Sequence, residues 1–231
     1  MINSVPAVVP HHQTKQAFVY QTLRNAIMQG DLAPGERLRT EDIARRLSVS
    51  PIPVREALQG LQSEGLVEMV PHVGARVARV SPSSIIEVFT VMEGLEWVAT
   101  RTAAAQLTPS HLEQLTRLLE KMDQALELGN HDEWGDLNSE FHRAIAAVTA
   151  MSMLQEMTER ALSQWDRIRR YYLKGALTQR LGQAQKEHHL IVQAMRDQDY
   201  PALERLVRDH NQGALAAYLE YFSTAAPPTA D

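Results

Sequence analysis

Apolar residues recur every three or four positions in three short segments near the start of the chain, with polar residues between them. That spacing is typical of amphipathic helices that pack on a common core. The apolar positions are Val19 or Tyr20, Leu23 and Ile27; Ile43 and Leu47; and Val54, Ala57, Leu58 and Leu61. Gly30 is placed to end the first segment, and Thr40 and Ser50 are placed to cap the second and third. The pattern therefore predicts three short helices.

Two β-prone segments follow the third helix. They cover residues 66–70 and 75–80, and Gly74 is available for the turn between them. Three helices followed by a β-hairpin form a winged helix-turn-helix, which places its third helix in a DNA major groove. We therefore expect residues 15–80 to bind double-stranded DNA.

After Pro82 the helical period continues almost without a break. It predicts six helices, at about 83–105, 110–128, 131–148, 151–173, 181–198 and 200–222. The predicted fold class is mostly α: an N-terminal winged helix-turn-helix followed by an all-α antiparallel six-helix bundle. The expected organisation is a mobile arm at 1–14, the winged domain at 15–80, the helical domain at 81–222 and a disordered tail at 223–231.

Composition narrows the class of protein. The chain has 231 residues, no cysteine and a net charge of −5, which exclude disulfides and thiolate metal sites and argue against coating of nucleic acid. The charge is uneven, because residues 1–80 hold 9 Lys/Arg against 7 Asp/Glu and the rest hold 14 against 21. No apolar run approaches the roughly 20 residues of a membrane span, and the start lacks a secretion-signal pattern. We expect a cytoplasmic protein without a membrane partner.

The third predicted helix carries the main candidates for reading DNA bases. Ile52, Arg55, Gln59 and Gln62 share the face opposite its apolar stripe, where Arg can pair with guanine and Gln with adenine. A plain solvated face is the alternative interpretation for any single one of these residues. The other candidates for DNA contact are Ser50 before this helix, Arg45 and Arg46 on the second helix, and His72, Gly74 and Arg76 at the wing.

Three of the nine histidines lie where helices can bring them together. Asn138 and His142 are four residues apart on one helix and therefore share a face. His188 and His210 lie on the last two helices, which are antiparallel neighbours if the short turn near Asp199 reverses the chain. Three imidazoles and an oxygen ligand suit a divalent metal: zinc first, with nickel or manganese as alternatives. Histidines on helices are also often solvent-facing or simply hydrogen-bonded in a core.

Several separated segments of the first domain resemble the GntR family of bacterial transcription regulators. They are Pro34-Gly35-Glu36-Arg37-Leu38, Val54-Arg55-Glu56-Ala57-Leu58, Leu61 and Glu64-Gly65-Leu66-Val67. The resemblance implies that Arg55 and Gly74 belong to the DNA surface. Pro51 and Glu41 stand where relatives carry Arg, so the operator sequence is not carried over from them.

The second domain resembles the FCD ligand-binding domain of the FadR-type GntR branch, in its VanR-like six-helix group. The segments that carry this resemblance are Asn138-Ser139-Glu140-Phe141-His142, Glu187 to Ala194, Asp199 and His210. It implies that Asn138, His142, His188 and His210 hold a metal, with Asn138 neutral where many relatives carry Asp. His189, next to His188, points elsewhere.

In such domains the metal binds a small carboxylate effector rather than catalysing a reaction. Relatives often clamp the carboxylate with an Arg at the position of Met92, near Glu96, so that clamp is absent here. The expected effector contacts are Met92, Glu96, Arg143, Trp165 and Arg169, with Arg167, Tyr171 and Tyr172 also considered.

The sequence thus predicts a homodimeric, effector-responsive regulator that binds a palindromic operator, with repression as the expected sign. A metal-sensing regulator without an organic effector uses the same ligands and stays open as an alternative. A metalloenzyme is the third reading, but no HExxH motif is present and no acidic residue is spaced as a general base.

Overall fold

The computed structural model describes residues 14–172 and 178–224. Within it the chain divides into two compact units, Met1–Val80 and Ser81–Asp231. The predicted mobile arm lies outside the described residues except for Thr14, whose side chain caps the first helix by accepting from the Ala17 amide at 3.1 Å. The predicted tail lies outside them too, except that Ser223 and Thr224 still belong to the last helix.

The first unit has three helices and a small antiparallel sheet. In chain order they are α1 (Lys15–Gln29), β1 (Arg37–Leu38), α2 (Thr40–Arg46), α3 (Pro51–Ser63), β2 (Val67–Val70) and β3 (Gly74–Val77). The strand order is β1-β3-β2, and Val70 pairs with Gly74 at the hairpin. The winged helix-turn-helix is therefore present, with β1 as an unpredicted third strand. A two-residue strand is too short to leave an alternating pattern in the sequence.

The starts of α2 and α3 differ from the predicted caps. Thr40 is already the first residue of α2, and Arg39 occupies the N-cap position. Ser50 does stand at the N-cap of α3, but its side chain makes no capping hydrogen bond. Pro53 gives the physical reason, since it occupies the third helical position and lacks the N–H that a capping serine accepts.

The core of the first unit consists of the predicted apolar stripes. Val19, Leu23, Val54, Leu61 and Leu66 are completely buried in it. Gly65 follows α3 with a φ of +71°, the left-handed conformation that commonly ends a helix. Burial of one side of α3 leaves its opposite side available for contacts outside the unit.

The second unit consists of six helices in the described residues. They are α4 (Pro82–Ala104), α5 (Pro109–Glu127), α6 (His131–Val148), α7 (Ser152–Tyr172), α8 (Thr178–Asp197) and α9 (Tyr200–Thr224). The long α4 packs against α6, α7, α8 and α9, while α5 packs against α6 and α8. This arrangement brings the inner faces of α4, α6, α8 and α9 together. Nowhere in the described residues does a helix have the length and apolar character that crossing a membrane requires.

Arg169 on α7 is buried inside the second unit, with 1% of its surface exposed. Its guanidinium lies over Gly135 on α6, where a Cβ would overlap it. It is held there by Asp136, by Asp166 at 3.2 Å and by the Asp132 carbonyl at 3.2 Å. The glycine thus makes room for a buried cation between two helices.

Gly135→Ala should therefore lower the free energy of unfolding of the second unit by about 1–3 kcal/mol, because the held guanidinium cannot move aside without losing its partners. Gly182→Ala on α8 is the matched control, since a Cβ there meets nothing within 4 Å. The control should raise stability by about 0.5–1 kcal/mol. Urea unfolding followed by tryptophan fluorescence measures both, and equal effects of the two substitutions would contradict the packing described.

Candidate functional site

The exposed face of α3 carries the residues expected to contact DNA bases. Ile52 is 64% exposed, and Arg55, Gln59 and Gln62 are exposed beside it. The opposite side of the helix is buried in the core. A largely exposed apolar side chain, in line with Arg and Gln, is suited to contact with base edges and thymine methyl groups.

A second group of cations surrounds α2 and β1. Arg45 and Arg46 are exposed, as a phosphate contact requires, and so is Ser50 at the start of α3. Arg45 contacts Asp42 at 3.2 Å, but with 78% of the Arg45 side chain exposed this pair contributes little to stability. Arg37 and Arg39, not singled out from the sequence, line the same surface depression as Arg45 and Arg46. Arg37 is placed there by the short strand β1, which no pattern in the sequence revealed, and Arg39 by the start of α2.

The wing presents its predicted residues in different ways. His72 is exposed in the turn with a φ of +63°, and Gly74 follows with +97°. Arg76 is half-buried on β3, paired across the sheet with Arg37 and Glu68. Its Nη1 donates to the Gly35 carbonyl at 3.5 Å. His72 is therefore the more accessible of the two for a DNA contact at the tip of the hairpin.

In the second unit the three predicted histidines come together. His142 on α6, His188 on α8 and His210 on α9 are all buried, and one nitrogen of each lies within 4.8 Å of the others. His189 points away, is exposed, and contacts Asp123 at 3.0 Å. We call His142, His188 and His210 the histidine cluster.

Among the polar atoms beside the cluster that are buried without a hydrogen-bond partner in the described residues, two belong to predicted metal ligands. They are Oδ1 of Asn138, one turn before His142, and Nε2 of His188. An unsatisfied buried polar atom costs about 1–3 kcal/mol. A divalent cation would satisfy both, and imidazole nitrogen with amide oxygen is a suitable donor set for zinc. The residues present therefore fit a metal.

Each imidazole of the cluster is held at its Nδ1 by a neighbouring side chain. His142 lies 3.2 Å from Glu96 Oε1, His210 lies 2.9 Å from Glu187 Oε2, and His188 lies 3.5 Å from Gln185 Oε1. These contacts at Nδ1 leave the Nε2 of each ring for coordination, as carboxylates and amides do behind metal-ligating histidines.

The sequence did not reveal that Glu187 and Gln185 contact the Nδ1 atoms of the histidines. Glu187 precedes His188 in the chain but contacts His210 on the next helix, so the spacing contains no sign of this contact. Glu96, which was predicted to contact an effector, lies 3.2 Å from His142 Nδ1 and accepts from Asn211 Nδ2 at 2.7 Å.

The charge state of the cluster suits a metal ligand. Burial lowers the pKa of His142 despite the opposing carboxylate of Glu96. Burial, together with the neighbouring His210 and His142, lowers the pKa of His188 well below its usual value. Both rings are thus neutral near pH 7, the form that coordinates a cation. Burial alone would raise the pKa of Glu187, but hydrogen bonds from His210, Arg180 and Gln183 outweigh it and lower the pKa to about 2.

A cavity of about 40 Å³ lies beside the cluster. The predicted residues Met92 and Trp165 line it, together with Asn138, His142 and His210. Its remaining wall is mostly apolar, except for Asn211, the Tyr218 hydroxyl and Arg180, a cation not singled out from the sequence. Apolar walls with a few polar groups at one end are typical of small-molecule sites.

Arg143 and Arg169, which were predicted to contact an effector, lie away from the cavity. Arg143 pairs with Glu159 and lies 3.8 Å from Asp166, and Arg169 is bound by the aspartates described above. Neither lines the cavity, because acidic partners on α6 and α7 hold both cations elsewhere; the buried Arg167 does not line it either. Arg169 does lie over the ring of Trp165, 5.4 Å from its centroid. The side chains of Tyr171 and Tyr172 lie outside the described residues.

A winged helix-turn-helix followed by an all-helical unit is typical of DNA-binding transcriptional regulators. Residues 15–77 match the gntR family of bacterial regulatory proteins, and residues 87–213 match the FCD domain. The chain belongs to the GntR family and carries an FCD domain, in the FadR-type branch. Proteins of this family bind operator DNA and are regulators of transcription, not enzymes.

Relatives of known sequence and structure agree with this assignment. The HTH-type transcriptional regulator McbR of Escherichia coli strain K12 is 28% identical over 205 residues, which cover 89% of this chain and 93% of McbR. The HTH-type transcriptional repressor RspR of the same strain is 27% identical over 194 residues, 84% of each protein. The solved structure of E. coli McbR/YncC matches this fold with a TM-score of 0.74, covering 91% of this chain and 99% of that chain.

Arg55→Ala should weaken operator binding by about 1–3 kcal/mol and relax base preference at one position of each half-site. Arg117→Ala removes the same charge from an exposed site in the second unit and should leave operator affinity unchanged. A gel-shift titration against operator fragments selected from the genome measures both. An unchanged affinity and footprint for Arg55→Ala would refute the placement of α3 against the bases.

Proposed function

We propose that this protein is a homodimeric repressor that binds a palindromic operator and is released from it by a small carboxylate bound at a metal ion. Two winged units read the two half-sites, and the dimer contacts lie in the helical unit. The exposed row on α3 supports the reading of DNA, and the relative RspR carries the name of a repressor. Because its target is the chromosome, the protein acts in the cytoplasm.

The metal in this proposal is zinc, held by Asn138, His142, His188 and His210. The single observation that carries it is the convergence of three buried imidazoles on one point, with a partnerless Asn138 oxygen beside them. Bound zinc supplies a positive, Lewis-acidic centre to which a carboxylate oxygen can bind. The neutral Asn138 makes this centre more positive than an Asp would, while Glu96 and Glu187 lie behind the rings and offset part of that charge.

The effector in this proposal is a small carboxylate in the cavity beside the cluster. Apolar walls around one polar end support a ligand with one anionic group, and Met92 and Trp165 are the predicted residues in position to contact its body. Effector binding is linked to operator affinity because the ligand binds the operator-bound and released forms unequally.

The decisive experiment measures operator affinity of the full chain in three states: metal-stripped, zinc-loaded, and zinc-loaded with a series of small carboxylates. We expect at least one acid to lower operator affinity by about 5–150-fold, the usual range for coupling between two sites, and only when zinc is present. A response to zinc alone, with no effect of any acid, would identify a metal sensor instead. Analytical ultracentrifugation of the same samples tests the dimer, and a monomer on the operator would refute that part of the proposal.

His188→Ala should abolish stoichiometric zinc binding, with affinity falling by more than about 100-fold, because it removes a ligand rather than a supporting partner. His189→Ala is the matched control, since that neighbouring ring is exposed and faces Asp123. Elemental analysis gives the metal content, and circular dichroism checks that both variants are folded. A normal zinc content in folded His188→Ala would remove this residue from the ligands.

A further inference from the structure

Arg180, in the first turn of α8, is a cation in the wall of the cavity. Only 14% of its side chain is exposed. Its Nη1 and Nη2 donate to the two oxygens of Glu187 at 2.8 and 2.7 Å, and Nη2 also lies 3.3 Å from the His210 carbonyl. Since Glu187 in turn holds the ring of His210, one carboxylate joins Arg180 to the histidine cluster.

A glycine on α9 makes room for this guanidinium. A Cβ at Gly213, one turn after His210, would overlap Arg180. The glycine therefore leaves the space in which the guanidinium lies against the helix. Arg180 cannot swing freely, because Glu187 holds it on one side and the backbone of α9 limits it on the other.

The Nε of Arg180 has no acceptor in the described part of the chain. The Nε–H is buried and makes no hydrogen bond to any described residue. Arginine offers five N–H donors in a rigid fork, and Glu187 uses the two at the far end. Leaving a buried donor of a charged group unsatisfied is costly, so an acceptor that the protein itself does not provide is expected at this point.

We propose that Arg180 is the anion-recognising residue of the effector site and that its Nε–H donates to an oxygen of the bound carboxylate. This inference rests on the proposed metal and effector site. In this proposal, Arg180 on α8 takes the place of the arginine that relatives often carry at the position of Met92 on α4. The carboxylate is therefore bound from α8 rather than from α4. The carboxylate is then shared between the metal at the histidine cluster and Arg180.

The size of the cavity narrows the class of effector. At about 40 Å³ it is far smaller than the engineered cavity of about 150 Å³ that holds benzene. The site as built therefore favours short acids, such as acetate, glycolate or propionate, over aromatic ones. Benzoate is too large to enter without moving the surrounding helices.

Arg180→Lys in the full chain tests this role. Lysine keeps a positive charge opposite Glu187 but has no Nε–H donor and no fork. Arg170→Lys is the matched control, because Arg170 is exposed and pairs with Asp136 on the surface. For each protein, calorimetry measures the affinity for zinc and then, with the protein zinc-loaded, for acetate, glycolate, propionate and benzoate.

We expect wild type to bind at least one of the three short acids more tightly than benzoate. Arg180→Lys should keep its zinc affinity within a few-fold and bind that acid about tenfold more weakly or worse, the usual loss for a charge-assisted hydrogen bond. Arg170→Lys should match wild type in both measurements.

The outcomes separate this inference from the proposed function. Failure of wild type to bind zinc would refute the metal site itself. Zinc binding with equal acid affinity in wild type and Arg180→Lys would overturn only the role of Arg180. Parallel loss of zinc and acid affinity would show that Arg180 merely supports His210 and overturn recognition, and a wild type that binds none of the short acids would overturn the class of effector.

Discussion

The second unit depends on polar contacts that hold three imidazoles inside a helical core. Glu96, Gln185 and Glu187 each lie at the Nδ1 of one ring, and one nitrogen of each ring lies within 4.8 Å of the others. Burying a polar group is costly unless it has a partner, and here each ring has a polar neighbour at one of its nitrogens. The atoms left over, on His188 and Asn138, define where a cation fits.

Two arginines of the helical unit differ in the surroundings of their guanidinium groups. Arg169 and Arg180 each lie over a helical glycine, and each is held by carboxylates. The Nε of each is buried without an acceptor among the described residues, so an unused donor does not distinguish them. What distinguishes them is position, because Arg180 lines the cavity, whereas Arg169 does not and contacts the ring of Trp165 instead.

In the first unit, the function of the domain depends on the difference between the buried and the exposed face of α3. One side supplies Val54 and Leu61 to the core, and the other leaves Ile52 and Arg55 in solvent. The 3.6-residue period of a helix makes this division readable from the sequence. The cap at Ser50 was not readable from residue type alone, since Pro53 removes the amide that the serine would accept from.

The sequence by itself determined the helices and the winged unit, because periodicity is a local property of the chain, and its motifs indicated the family and the histidines of the cluster by resemblance. Only the tertiary structure decided the partners across helices. Glu187 supports His210 rather than its neighbour, Arg180 lines the cavity, and Arg143 and Arg169 turn toward acidic residues elsewhere. Spacing places a residue on a face of its own helix, but the contacts of that face depend on how the helices pack, which no local pattern encodes.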